Sequence, residues 1–183
     1  MLKIATQLLD FLQLDHAYQH LTARLKGQTR SLTEEEMALG KSIFGENIDY
    51  QVIRIDEHSH TAQRLRAKYV SFNTINSWGK MSPDVFIHEL VHIWQYQRLG
   101  SVYIAEALAA QRSEAGYNYG GIAALQKALE EGKTLRDFNF EQQGDIVQDY
   151  YLITHGYRAQ WGTARQKEAP IYWEIIEKGL KNT

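Results

Sequence analysis

The chain has 183 residues, a formal charge of -2 and 44% apolar residues. That length can bury a proper core as a single domain, and the near-neutral charge leaves no footprint for nucleic acid or for an anionic membrane surface. It contains no cysteine, which removes disulfides, thiolate metal ligands and a thiol nucleophile together.

Met1-Leu2-Lys3-Ile4 resembles the start of a secretory signal, but Asp10, Gln13 and Asp15 interrupt the apolar run and no small-residue cleavage site follows. Leu8, Leu9, Phe11, Leu12 and Leu14 instead predict a short amphipathic helix. The expectation is a chain made in the cytoplasm, compatible with export by a route that does not read a Sec signal. No apolar run is long enough to span a bilayer. After a turn at Gly27, Ser31-Leu32-Thr33-Glu34-Glu35-Glu36 offers two overlapping capping boxes, Ser31 with Glu34 and Thr33 with Glu36, for a helix ending at Gly45.

Tyr50–Ile55 and Tyr69–Ile75 read as strands that pair in a small sheet or hairpin. Ser82-Pro83 then opens a long helix to Leu99, with Ser82 at the N-cap and Pro83 at the first helical position. Further helices are expected at about 101–115, 122–130, 141–154 and 170–181, with stops at Gly132 and Gly156. With 2 prolines and no linker-like or repeated stretch, one domain over 1–183 is the expectation: a helical extension to 30, a core over 31–155 and C-terminal helices from 156. The fold class is α+β, mainly helical with a small sheet.

The long helix carries His88-Glu89-Leu90-Val91-His92, an H-E-x-x-H pattern. At about 3.6 residues per turn His88 and His92 leave the same face, one turn apart, where a single Zn²⁺ can bridge them. Glu89 lies about 100° further round, at the rim of that face, where it can take a proton from an activated water. A catalytic zinc needs a third protein ligand. Metzincins place a His six residues after the second one and a Gly three after it; here these positions are Arg98 and Gln95, so that reading fails.

A carboxylate on a later helix is the next source. Glu141 heads a stripe with Asp145 and Asp149 at i, i+4 and i+8, with no Lys or Arg among them. Like charges at that spacing repel. A metal on Glu141, with Asp145 hydrogen-bonding a ligand imidazole, would offset the repulsion, and a solvated acidic face at a helix N-terminus would explain it equally well. Glu106 is the alternative third ligand, because an αα-hairpin at Gly100 returns it to the height of His92. Glu114 and Asp137 are weaker candidates. His58 and His60 are expected in a loop, and the i, i+4 pair His16 and His20 lacks an adjacent acid. His155, Tyr117, Tyr119, Tyr150 and Tyr157 are all chemically able to stabilise an oxyanion, and none stands out among 11 tyrosines.

Three stretches carry a family resemblance: Phe44-Gly45-Glu46-Asn47-Ile48-Asp49-Tyr50 with Val52-Ile53-Arg54-Ile55, Phe86 to Gln95, and Phe138-Asn139-Phe140-Glu141-Gln142-Gln143-Gly144-Asp145-Ile146-Val147. Together they resemble the vgr-related, Rhs-associated bacterial H-E-x-x-H proteins and are similar to the metallopeptidase-like domain of contractile injection systems. The resemblance covers roughly 32–151. It implies a zincin-like fold of gluzincin type, favours Glu141 as the third ligand, and implies a link to type VI secretion or contractile injection with a secretion-system protein as partner. The expected activity is zinc-dependent hydrolysis of a peptide or protein substrate with Glu89 as general base. The alternative is a zinc-binding secretion adaptor or structural protein without turnover.

Overall fold

The computed structural model describes residues 29–100, 102–111 and 116–181. The helix expected near Leu8, the His16 and His20 pair, and Glu114 lie outside the described residues. Those described form a mixed α+β structure, mostly helical with one four-stranded sheet. The chain divides into two compact units, Met1–Glu106 and Ala107–Thr183.

In the first unit, β1 (Thr29–Arg30) precedes α1 (Glu34–Phe44). Of the two overlapping boxes it is Thr33 with Glu36 that closes: the Thr33 hydroxyl accepts from the Glu36 amide and the Glu36 carboxylate accepts from the Thr33 amide. Glu36 is also gripped by Arg30, whose two guanidinium nitrogens lie 2.7 and 2.8 Å from its oxygens and which also donates to Glu57 at 2.7 Å. One planar fork thereby ties strand, helix and the segment after β2 (Arg54–Asp56).

The expected strand over Tyr50–Ile55 is corrected. Tyr50–Val52 is a turn of 3-10 helix, because the Asp49 carboxylate accepts from the Gln51 amide and bends the chain locally. The strand itself is limited to Arg54–Asp56. The second expected strand breaks in two, β3 (Tyr69–Ser71) and β4 (Thr74–Asn76), paired antiparallel around Phe72-Asn73. Phe72 turns the corner at φ 56°, a left-handed conformation that costs a bulky residue energy, while its ring packs edge-on against Tyr96. The sheet order is β1-β2-β4-β3, with β2 and β4 parallel. The two segments expected to pair thus do so in parallel, through β4. Between β2 and β3, His60 opens a short helix, α2 (His60–Leu65), capped by the Ser59 hydroxyl, so the expected loop is helical from His60 onward.

The next helix, α3 (Pro83–Leu99), begins at Ser82 without a side-chain cap bond. Pro83 lacks one of the amide protons that a cap would satisfy, and Asp84 complements the helix dipole. Every residue from Phe86 to Tyr96 is buried. Gly40 allows close approach: a Cβ there would stand 2.8 Å from the Tyr50 ring and 3.0 Å from Leu90. After Gly100 comes α4 (Val102–Gln111).

The second unit contains α5 (Gly121–Glu130), α6 (Phe140–Thr154) and α7 (Ala169–Lys181), with 3-10 turns at Leu135–Asp137 and Gln166–Glu168. Tyr172, Ile175 and Ile176 of α7 are fully buried, and α7 packs on α5 and α6. Gly179 meets Leu135 so closely that a Cβ would fall 2.6 Å from the leucine Cβ.

Two measurements test this account. Gly179→Ala is expected to lower the unfolding free energy by about 1–2 kcal/mol in a urea melt, because overpacking outweighs alanine's helix propensity advantage of about 1 kcal/mol. The second concerns Arg30. Its hydrogen bond holds the Glu57 carboxyl below the ordinary range; burial pushes Glu36 up, but Arg30 and the Thr33 amide outweigh it and bring it down. Carboxylates with lowered folded-state pKa stabilise the protein above their unfolded value and lose that contribution as pH falls. Arg30→Met is therefore expected to cost about 1 kcal/mol near pH 7. The difference from the parent protein should shrink as urea melts are taken below the unfolded glutamate value of 4.5.

Candidate metal centre

Within the buried stretch of α3, Phe86 to Tyr96, the histidines and the charged and amide side chains gather on one side of the helix. His88, His92 and Gln95 follow i, i+4 and i+7, and Glu89 sits beside them. All four are buried. The two imidazoles converge, their ring centroids 5.0 Å apart and nearly perpendicular. Tyr103, buried on α4, lies tilted against His92 at 5.7 Å. The Gln95 amide oxygen is 2.8 Å from His92 Nδ1.

On α6 the start of the helix is fixed by Asn139, which closes a capping box with Gln142. Asn139 also donates to the Gly116 carbonyl and Gln142 to that of Asn118. Glu141 follows in the first turn. The reading of Glu141, Asp145 and Asp149 as a solvated acidic face is corrected: they are 2%, 3% and 0% exposed. Burial without solvent demands donors. Asp149 receives the Tyr119 hydroxyl at 2.5 Å and the amides of Gln160 and Trp161, and Asp145 receives the Trp161 indole N–H. Tyr119 donates to the carboxylate, so the Tyr172 hydroxyl, 2.7 Å away, donates to Tyr119. Burial pushes the Tyr172 phenol up to about 12 and raises Asp149 as well, against the donors that favour its charged form.

His88, His92 and Glu141 each offer one ligand atom, and these atoms all lie within 4.8 Å of one another. Two imidazoles and a carboxylate, all buried, make a group that could hold a metal ion. It is the one such group among the described residues. Glu106 is partly buried on α4 and stands outside it. Asp137 caps its own 3-10 turn by accepting from Thr134. His58 and His60 are exposed and line a surface cavity of about 480 Å³ with Trp78.

Among the oxyanion candidates, Tyr119 is engaged by Asp149, and Tyr150 packs against Trp173. His155 stacks on Tyr151, while Tyr117 and Tyr157 are exposed. Gln95 and the Asp149 hub were not anticipated. The i+7 spacing of Gln95 from His88 was the available signal for the first; nothing local in sequence links Asp149 to Tyr119 or Trp161. Asp149→Asn, which cannot accept from all three donors, is expected to cost about 2–3 kcal/mol. It should also strip hydrogen-exchange protection from the Gln160 and Trp161 amides.

No known family profile matches the chain. In an alignment of 136 positions that covers 67% of this chain, it is 34% identical to the type VI secretion system spike protein VgrG2b of Pseudomonas aeruginosa, and the match spans 13% of that protein. The fold is similar to that of the solved effector domain of Pseudomonas aeruginosa VgrG2b, at a TM-score of 0.50 and 22% identity, covering 96% of this chain and 99% of that domain. The chain is thus similar to VgrG2b over two thirds of its own length and shares the fold of that protein's effector domain.

Proposed function

We propose that the chain is a zinc-dependent hydrolase of zincin-like, gluzincin type, a peptidase delivered through a type VI secretion route. The observation that carries the reading is the buried group of two imidazoles and one carboxylate whose ligand atoms lie within 4.8 Å of one another. A closed structural zinc site takes four protein ligands, whereas three with an open position is the catalytic pattern. No thiolate competes for the choice of metal, because the chain has no cysteine. His88 and His92 bind through ring nitrogens and Glu141 through a carboxylate oxygen. Zinc held there supplies Lewis acidity and brings the pKa of a water toward about 7.

Glu89 is the general base. It follows His88 on the same helix, is buried, and is not needed for binding the ion. Its carboxylate takes a proton from water as the water oxygen joins the scissile carbonyl carbon. It then returns that proton to the departing amine nitrogen as the C–N bond breaks. Asp145 sits one helical turn from Glu141 and accepts the Trp161 indole N–H; its role in this reading is to hydrogen-bond a ligand imidazole. The relation to a secretion spike protein and its effector domain supports delivery by that machinery, with a spike component as partner and a peptide or protein as substrate.

Glu89→Gln is expected to retain stoichiometric zinc by elemental analysis and to lose at least about 100-fold in turnover on a peptide library. His88→Ala and Glu141→Gln are expected to lose the metal itself. Undiminished function in Glu89→Gln would instead assign the chain to a zinc-stabilised secretion component without turnover.

A further inference from the structure

We propose that Gln95 is a positioning residue that holds His92 in the tautomer needed to bind metal through Nε2. The inference rests on the metal-binding reading above and goes beyond it, to the group that prepares one ligand before any ion arrives.

A neutral imidazole carries one N–H and one lone pair, on opposite nitrogens. The Gln95 oxygen can only accept, and it stands 2.8 Å from His92 Nδ1. The proton must therefore be on Nδ1, which leaves the lone pair on Nε2. An imidazole free in water carries its proton mainly on Nε2, and in that form would have to exchange tautomers before using that nitrogen as a ligand. Both side chains are buried, at 1% and 4% exposure, so bulk water competes little for the bond. The i, i+3 spacing on one helix keeps donor and acceptor together, and the Tyr103 ring packs against the imidazole at 5.7 Å.

The partner is an amide where many metal-bound histidines use a carboxylate. Two neutral imidazoles and the Glu141 carboxylate leave one net positive charge on a divalent ion. An acid at position 95 would cancel that charge. Glutamine orients the ring and keeps it.

The test is nitrogen-15 NMR of the metal-free protein, with zinc affinity measured by chelator competition. In the parent protein His92 is expected to carry its proton on Nδ1. Gln95→Leu, which removes the acceptor at similar volume, should move the proton toward Nε2 and weaken zinc binding about 10- to 100-fold. Gln95→Glu should restore both the Nδ1–H form and the affinity. A His92 protonated on Nε2 in the metal-free parent protein, or zinc affinity unchanged in Gln95→Leu, would overturn the assignment. The tautomer is read without metal. A protein with the expected His92 tautomer that binds no zinc would therefore sink the proposed function while leaving the hold of Gln95 on His92 intact.

Discussion

A helix buried on every side can carry polar residues only where each meets a partner, and α3 is such a helix from Phe86 to Tyr96. Apolar residues cover most of its circumference, which fixes the helix in the first unit through α1 and the sheet. His88, Glu89, His92 and Gln95 occupy the remaining face. Leaving such groups dry costs several kcal/mol unless they are bonded to one another or to an ion. That cost explains why the polar residues cluster at adjoining turns instead of being scattered along the helix.

The same constraint organises α6. Three acids spaced four residues apart would repel one another if left alone, and all three are buried. Each meets a different answer. Asp149 is surrounded by a tyrosine hydroxyl and two amides, and Asp145 takes an indole N–H. Glu141 brings a ligand atom within 4.8 Å of those of His88 and His92. Besides the Tyr119 hydroxyl, donors to Asp145 and Asp149 come from the Gln160-Trp161 segment. The stripe therefore also anchors the chain between α6 and α7.

Where local chemistry dominates, the sequence is legible. The Thr33 capping box, the start of α3 at Pro83 and the helix end at Gly132 are each decided by neighbours within four residues. The strands are less legible because they are only two or three residues long. A turn of 3-10 helix set by Asp49, and a left-handed Phe72, override a β-branched run that alternates imperfectly. The first rests on a two-residue bond that competes with strand pairing, Asp49 to the Gln51 amide, and the second on a distant partner, Tyr96 against Phe72.

The sequence by itself determined that two imidazoles and an acid share one helix face, since helical periodicity and identity at 88, 89 and 92 suffice for that. It also excluded the metzincin arrangement, through Gln95 and Arg98, and drew attention to the acidic stripe of 141, 145 and 149. Only the tertiary structure decided that this stripe is buried and not solvated, because burial depends on what packs over a helix and not on its own residues. It also brought Gln95, the residue that breaks the metzincin pattern, to His92, with its amide oxygen 2.8 Å from Nδ1. Spacing can place a side chain on a face, but which atom meets which nitrogen depends on rotamers set by the surrounding core.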